Sequence, residues 1–366
     1  MAERSPRTEK QVLRVAYLRA QGATYGAISD QLGISIATVA RMVDKAETAG
    51  WLHLTFTPPP NYRNAIWELV QVKELGDRIL AAFQAPGSVL HSVSVYPSGA
   101  SQERTHGYMA SHLSFYLEQT LPRQGLVGCN WGPSLCRIVE ALTPRDRRPE
   151  LEFVPLFGRL GIPRHAPNHA DSVRWDASRI AKEFATRFGS RVPPMTLSFR
   201  AFIPERFGVG DHAAVITDYV QDDQSYQDVF GPQGSVHLLS TIITGLGSRQ
   251  GAWRRFRAWI GDEKIELPDA IVGDLAQHFV TAAGVAGEVT PAVESLNQRV
   301  VGFAPHHLIR LAARSTNRPG LGVIAVAEGR LKAGIAAAAI RSGAVNHLFV
   351  DEELAHALLE CTSSDT

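Results

Sequence analysis

Five short stretches hold the residue types that polar-ligand chemistry needs. GCNWGPSL, Gly128 to Leu135, gathers Gly128, Asn130, Gly132, Ser134 and Leu135 around a strand end and a helix start. Free N–H groups and the positive dipole end at a helix start suit a phosphate or a sugar hydroxyl. Pro133 fits a first helical position but removes one of those donors. A glycine-rich turn often does no more than turn the chain, so this pattern alone is weak. FGRLG adds Gly158 and Arg159 after a strand, and TGLGSRQG adds Gly245, Gly247, Ser248 and Arg249. VGDLAQHF contributes Asp274, whose carboxylate can accept from two sugar hydroxyls or cap a helix. AEGRLKAGI places Arg330 and Lys332 at a helix start. Cations there oppose the dipole unless an anion sits nearby, and that misfit singles out Lys332.

Catalytic chemistry finds less support. His306 and His307 are adjacent, without the i, i+4 spacing of a zinc-binding helix, and the 13 histidines are scattered. The chain has no GxSxG and no phosphate-binding P-loop motif. No metal or cofactor is expected. An enzyme that isomerises a sugar phosphate would need a carboxylate base beside C1 and C2, and Asp274 is the one residue to nominate for it.

A different chemistry is written into TYGAISDQLGISIATVARMV, residues 24–43. Thr24 caps a short helix that carries Ile28 and Leu32 inward, Gly33 supplies a tight turn, and Ser35 caps the next helix. Val39, Met42 and Val43 then face the interior. Before them, Leu13, Ala16, Tyr17 and Ala20 form a stripe at i, i+3, i+4, i+7 on a first helix. The outward residues are Thr24, Tyr25, Ser35, Ala37, Thr38, Arg41 and Lys45. Small residues allow close approach to a DNA groove, hydroxyls reach bases or phosphates, and Arg41 can fork onto guanine or a phosphate. GWLHLTF continues as a wing strand. Residues 1–45 carry seven cations against four anions on a chain whose net charge is only +1, so the basic end favours a polyanion.

The remaining pattern must position the ligand residues. TPPPNYRN, with three consecutive prolines, predicts a stiff linker over 57–62. AIWELVQVKELGDRILAAF is helical in pattern, with Leu69, Val72, Leu75, Ile79 and Leu80 on one side, and reads as a connecting helix used in oligomer contacts. From about residue 87, short apolar strands alternate with helices down to VNHLFVD and EELAHALLE. Repeated βα units predict a Rossmann-like parallel sheet with helices on both faces. Ligands bind such sheets beyond the carboxyl ends of the strands. The expected organisation is a winged helix-turn-helix over 1–56, linker and connecting helix over 57–86, and an α/β effector-binding domain over 87–366.

The bulk numbers agree with a globular chain of one small and one large domain: 366 residues, 45% hydrophobic and 20% charged. Three cysteines form no CxxC pair, the N-terminus has no apolar core of a signal peptide, and no apolar run is long enough to span a membrane. A cytoplasmic location is expected.

Taken together, the chain resembles the SorC-type bacterial transcriptional regulators over nearly its whole length. GATYGAISDQLGISIATVARMVDKAETAGWLHL resembles the family's helix-turn-helix, and GLVGCNWGPSL its strand–turn–helix. FVPLFGRLG, AIVGDLAQHF and VIAVAEGRLKAGIAAAAIRSGAVNHLFVDEELAHALL are similar to its later segments. The resemblance implies a sugar-phosphate-isomerase-like effector domain, an operator-DNA partner and a homotetramer. It implies that Gly132 and Ser134 are first-loop ligands, that Asp274 takes sugar hydroxyls, and that Lys332 takes the anionic or hydroxyl end. The chain departs from the family pattern at Pro133–Ser134, at Arg159 and at Glu328, so a sugar, a polyol and a sugar phosphate all stay open.

Overall fold

The computed structural model describes residues 6–52, 72–98, 102–144, 146–159, 173–203, 211–251, 267–285, 287–317 and 321–363. The chain divides into two compact units, Met1–Ile66 and Trp67–Thr366.

The first unit holds α1 (Pro6–Ala20), α2 (Tyr25–Leu32) and α3 (Ile36–Thr48). Thr24 Oγ1 accepts from the Ala27 N–H at 3.2 Å, and Ser35 Oγ accepts from the Thr38 N–H at 3.2 Å. Each cap satisfies a donor that the helix start leaves open, worth about 1 kcal/mol. Gly33 ends α2 in the left-handed region at φ 63°, where a side chain would be strained. The core is Val12, Val15, Ala16, Ile28, Val39, Val43, Ala46 and Leu52.

That core corrects the stripe expected on α1. Leu13 and Tyr17 are 47% and 65% exposed, and Ala20 is exposed as well. Ala16 of that stripe is buried as expected, and Val12 and Val15 fill the interior beside it in place of the others. Both sets obey helical spacing, and the β-branched pair is the one that packs under α3. The wing residues 53–56 and the proline linker 57–62 lie outside the described residues.

In the second unit, six parallel strands make the central sheet: β1 (Ser92–Tyr96), β2 (Gln124–Cys129), β3 (Glu150–Pro155), β4 (Thr241–Gly245), β8 (Gly322–Ala327) and β9 (His347–Asp351). Their order is β1-β9-β8-β4-β2-β3. Chain order therefore reverses between β2 and β4, which lie side by side while β3 flanks β2 on the other edge. Side chains alternate faces, as a sheet covered on both sides requires. Val323, Ala325 and Ala327 of β8 join one apolar cluster, whereas Ile324 and Val326 join the other.

Three helices cover the second of these faces: α5 (Gln102–Thr120), α6 (Pro133–Ala141) and α7 (Ala177–Phe188). The first face is covered by α4 (Lys73–Ala82), α11 (Pro305–Arg314), α12 (Ala333–Arg341) and α13 (Glu352–Ser363). The segment read as a connecting helix is, in its described part, α4. Its Leu75 and Ile79 are buried, and the helix packs on β1 and α13, so it belongs to the larger unit. Between α7 and β4 lie α8 (Asp211–Gln221) and α9 (Gln224–Phe230), and between β4 and α11 lie α10 (Pro291–Asn297) and an antiparallel sheet that the βα alternation did not foretell. It is formed by β5 (Gly247–Ser248), β6 (Ile271–Leu275) and β7 (His278–Thr281). Among the described residues no helix is long and apolar enough to cross a membrane.

Candidate functional site

A cavity of about 560 Å³ opens beyond the carboxyl ends of β2, β4 and β8, at the reversal of strand order. Its wall takes Trp131, Gly132, Ser134, Leu135 and Arg137 from the β2–α6 turn and α6. Gly245, Gly247, Ser248 and Gly251 come from the end of β4 and beyond, Asp274 and Gln277 from the small sheet, and Glu328 and Lys332 from the turn after β8. Residues as far apart in the chain as Trp131 and Lys332 thus converge because parallel strands present all their carboxyl ends on one edge.

Four of these residues carry the polar chemistry. Lys332 Nζ lies 3.5 Å from Ser134 Oγ, bridging the β8 and β2 turns. Asp274 is 4% exposed and sits in β6, directly paired with Gly247 of β5. A Cβ at Gly247 would stand 1.7 Å from Asp274 Oδ1, so only glycine leaves the carboxylate its place. Asp274 therefore belongs to a strand and caps no helix. Glu328 is held by His106 of α5, with Oε1 2.5 Å from Nε2 and both side chains under a tenth exposed. The backbone carrying Glu328 is fixed in turn, because Asp351 Oδ1 accepts from the Gly329 N–H at 3.0 Å. Burial and the Glu328 charge push the Asp351 carboxyl above its ordinary range, against the pull of the Gly329 and Leu354 N–H groups.

Of the effector residues read from the sequence, Gly132, Ser134, Leu135, Gly245, Gly247, Asp274 and Lys332 line this cavity. Four others do not. Gly128 lies within β2, where a Cβ would meet Leu156 Cδ1 at 2.8 Å, so its smallness serves packing. Asn130 is buried and donates from Nδ2 to Thr244 Oγ1 at 2.7 Å while its Oδ1 accepts from the Trp131 N–H at 2.8 Å. It ties the ends of β2 and β4 together behind the wall. Gly158 packs on Phe199, with which Arg159 shares a backbone hydrogen bond, and the Arg159 charge acts on Asp176 instead.

Trp131, Arg137, Trp175 and Gln277 escaped the sequence reading. Arg137 follows Ser134 by three residues on α6, a spacing that a helix wheel would have shown. Gln277 gave no signal. It and Ala276 turn β6 into β7 at φ 65° and 50°, without the glycine or asparagine such turns favour. Among the described residues no group of three or more His, Cys, Asp or Glu side chains could hold a metal ion.

In the first unit, α3 sets Val39, Val43 and Ala46 toward the core and Ala37, Thr38, Arg41 and Lys45 toward the other side. Ser35 Oγ and Thr38 Oγ1 stand 2.9 Å apart, and Arg41 Nη2 donates to Thr38 Oγ1 at 3.3 Å. Hydroxyls and guanidinium form one polar line along an exposed helix. Thr24 is exposed, while Tyr25 is half-buried with the Arg19 guanidinium 5.4 Å over its ring.

Comparison with known proteins adds the following. The family described as "Putative sugar-binding domain" matches residues 74–360, and the one described as "Homeodomain-like domain" matches residues 6–50. The deoxyribonucleoside regulator of Bacillus subtilis is 23% identical over 334 residues, covering 91% of this chain and 91% of that protein. The full-length sorbitol operon regulator SorC from Klebsiella pneumoniae superposes with a TM-score of 0.59 at 18% identity, over 98% of this chain and 100% of that one. A DeoR family transcriptional regulator from Listeria monocytogenes gives 0.56 at 14% identity, over 78% and 98%. At these identities the structural likeness establishes the fold: a helical N-terminal unit and a parallel α/β domain of the same kind.

Proposed function

Since the chain belongs to this sugar-binding domain family, we propose that it is a DNA-binding transcriptional regulator of carbohydrate metabolism, controlled by a small polyhydroxylated effector. The observation that carries the reading is the convergence of Ser134, Asp274 and Lys332 on one cavity at the reversal of strand order. The effector is bound there, with Asp274 accepting hydroxyls and Lys332 and Ser134 donating to oxygens. Operator DNA is bound by α3, with Thr38, Arg41 and Lys45 toward the groove and phosphates, assisted by Thr24, Tyr25, Ser35 and Ala37. The family resemblance and the similar regulators support both assignments. The family resemblance also implies a homo-oligomer, with a tetramer as the specific expectation, working in the cytoplasm where its DNA is.

An effector shifts such a system only by its different affinity for the two states of the oligomer. Fluorescence anisotropy tests the proposal, using labelled DNA from upstream of the gene's own operon at two salt concentrations, with and without a panel of sugars, polyols and sugar phosphates. Salt-sensitive DNA binding that one compound shifts is the expected result. No binding at either salt would overturn the DNA reading, and binding that nothing on the panel shifts would overturn the sensing. Turnover of a sugar phosphate lost in Asp274→Asn would favour the enzyme reading instead.

A further inference from the structure

Among the described residues lining the cavity, the charged groups cancel. Arg137 and Lys332 are cations and Asp274 and Glu328 are carboxylates. A phosphate ester carries up to two negative charges and, once ionised, only accepts hydrogen bonds. A cavity built for it needs surplus cations or donors on every side of the anion. Here two of the four charged groups are themselves acceptors, and one of them cannot move aside. Glu328 is pinned through His106 on α5, and its backbone is pinned through the Gly329 N–H bond to Asp351. Glu328 also stands four residues before Lys332, across a turn that begins at the end of β8. A phosphate drawn to Lys332 therefore meets a buried carboxylate in the same cavity.

A hydroxyl group satisfies both kinds of wall. It donates to Asp274 or Glu328 and accepts from Lys332, Ser134 or Arg137. Trp131 and Trp175 add aromatic surface on which the C–H face of a carbohydrate packs. We infer that the effector is an unphosphorylated sugar or polyol, and that Glu328, positioned by His106, is the residue that sets this preference. The inference rests on the effector reading above.

Calorimetry on the full chain tests it. The probes are ribitol, xylitol, D-glucitol, D-mannitol, D-ribose and D-fructose, each beside its terminal phosphate monoester. The wild-type chain should bind at least one neutral compound at least tenfold more tightly than its phosphate. Glu328→Gln keeps the shape and removes the charge, and should narrow that ratio at least tenfold. His106→Gln should weaken binding of the neutral compound and narrow the ratio as well, because Glu328 loses its anchor. A thermal melt of each apo variant shows whether it is folded, and the ratio itself is a readout that a general loss of stability does not move. Tighter binding of a phosphate by the wild type would overturn the inference and leave the regulator reading standing. An unchanged ratio in Glu328→Gln would overturn the role of Glu328. If no probe binds while the chain still binds its DNA, the inference and the sensing proposal fail together.

Discussion

Gly247 and Asp274 face each other across an antiparallel ladder so closely that a methyl group on the first would stand 1.7 Å from an oxygen of the second. Gly247→Ala must therefore displace the carboxylate or part β5 from β6. Effector affinity should fall at least about tenfold, ~1.4 kcal/mol, with effector-free DNA binding unchanged. Calorimetry and anisotropy on the same preparation check this, and retained effector affinity would place Asp274 off the binding wall.

Arg41 is exposed and, among the described residues, donates to Thr38 of its own helix. Arg41→Ala should weaken operator binding and, if the guanidinium meets a phosphate, lower the slope of log K against log salt by about 0.9. The helical unit should keep its stability to within about 0.5 kcal/mol, since no buried contact is lost. An unchanged operator affinity at physiological salt would move the recognition face elsewhere.

Ser35 has two tasks, capping α3 and contacting the Thr38 hydroxyl that Arg41 also reaches. Ser35→Ala should cost the first unit about 1 kcal/mol and also weaken DNA binding, whereas Ser35→Asp should restore the cap alone. Denaturant melts and anisotropy separate the two effects. Full recovery of DNA binding in the aspartate variant would show that the hydroxyl line is dispensable.

Gln277 lines the cavity from a left-handed backbone position. A non-glycine residue there costs about 1–2 kcal/mol, so Gln277→Gly should raise stability by about 1 kcal/mol. The same change removes an amide from the wall and should lower effector affinity. A melting temperature that rises while affinity falls is the expected signature. A rise without loss of affinity would show that the amide does not touch the effector.

Three histidines give the larger unit a defined acid limit. Burial holds His112, beside the Tyr96 hydroxyl, His307, stacked on Phe303, and His347, beside Ser92, well down, at about 4 against an ordinary 6.5. The unfolded chain then binds more protons than the folded one between about pH 6.5 and pH 4. Stability should drop as pH falls through that window, by roughly 1.4 kcal/mol per unit for each group, and level off with respect to them below it. Urea midpoints from pH 7 to pH 4 follow the loss. Replacing His347 by Asn should make it shallower, and an unchanged slope would acquit that residue.

How far these features were legible depends on the range over which each is encoded. Caps and turns are local, so Thr24, Gly33 and Ser35 could be read directly. The βα alternation likewise implied a parallel sheet and the strand ends beyond which the cavity opens. It did not reveal β6 and β7, whose hairpin turns through Ala276 and Gln277 without a turn residue and whose stability comes from tertiary packing. On α1 two stripes satisfied the same period, and only the packing partner chose Val12 and Val15 over Leu13 and Tyr17. In the site, Ser134, Asp274 and Lys332 carried recognisable chemistry at recognisable places. Trp175 and the His106–Glu328 pair required the three-dimensional neighbourhood, since His106 stands 222 residues from its partner. Gly128 and Asn130 show the converse, residues of ligand-binding type spent on joining β2 to its neighbours.

The span of the cavity wall has one more consequence. Ser134 and Lys332 are 198 residues apart, so a molecule touching both acts as a reversible cross-link over more than half of the chain. The unfolded polymer has no such site. Occupancy at a hundredfold excess over Kd therefore stabilises the folded form by about 2.7 kcal/mol. Protease digestion with and without the effector measures this directly, and equal rates would refute it. Where chain turnover follows the unfolded population, the proposed effector should set how long each copy of its own sensor survives, and a cell deprived of the compound should shed the protein that reports it.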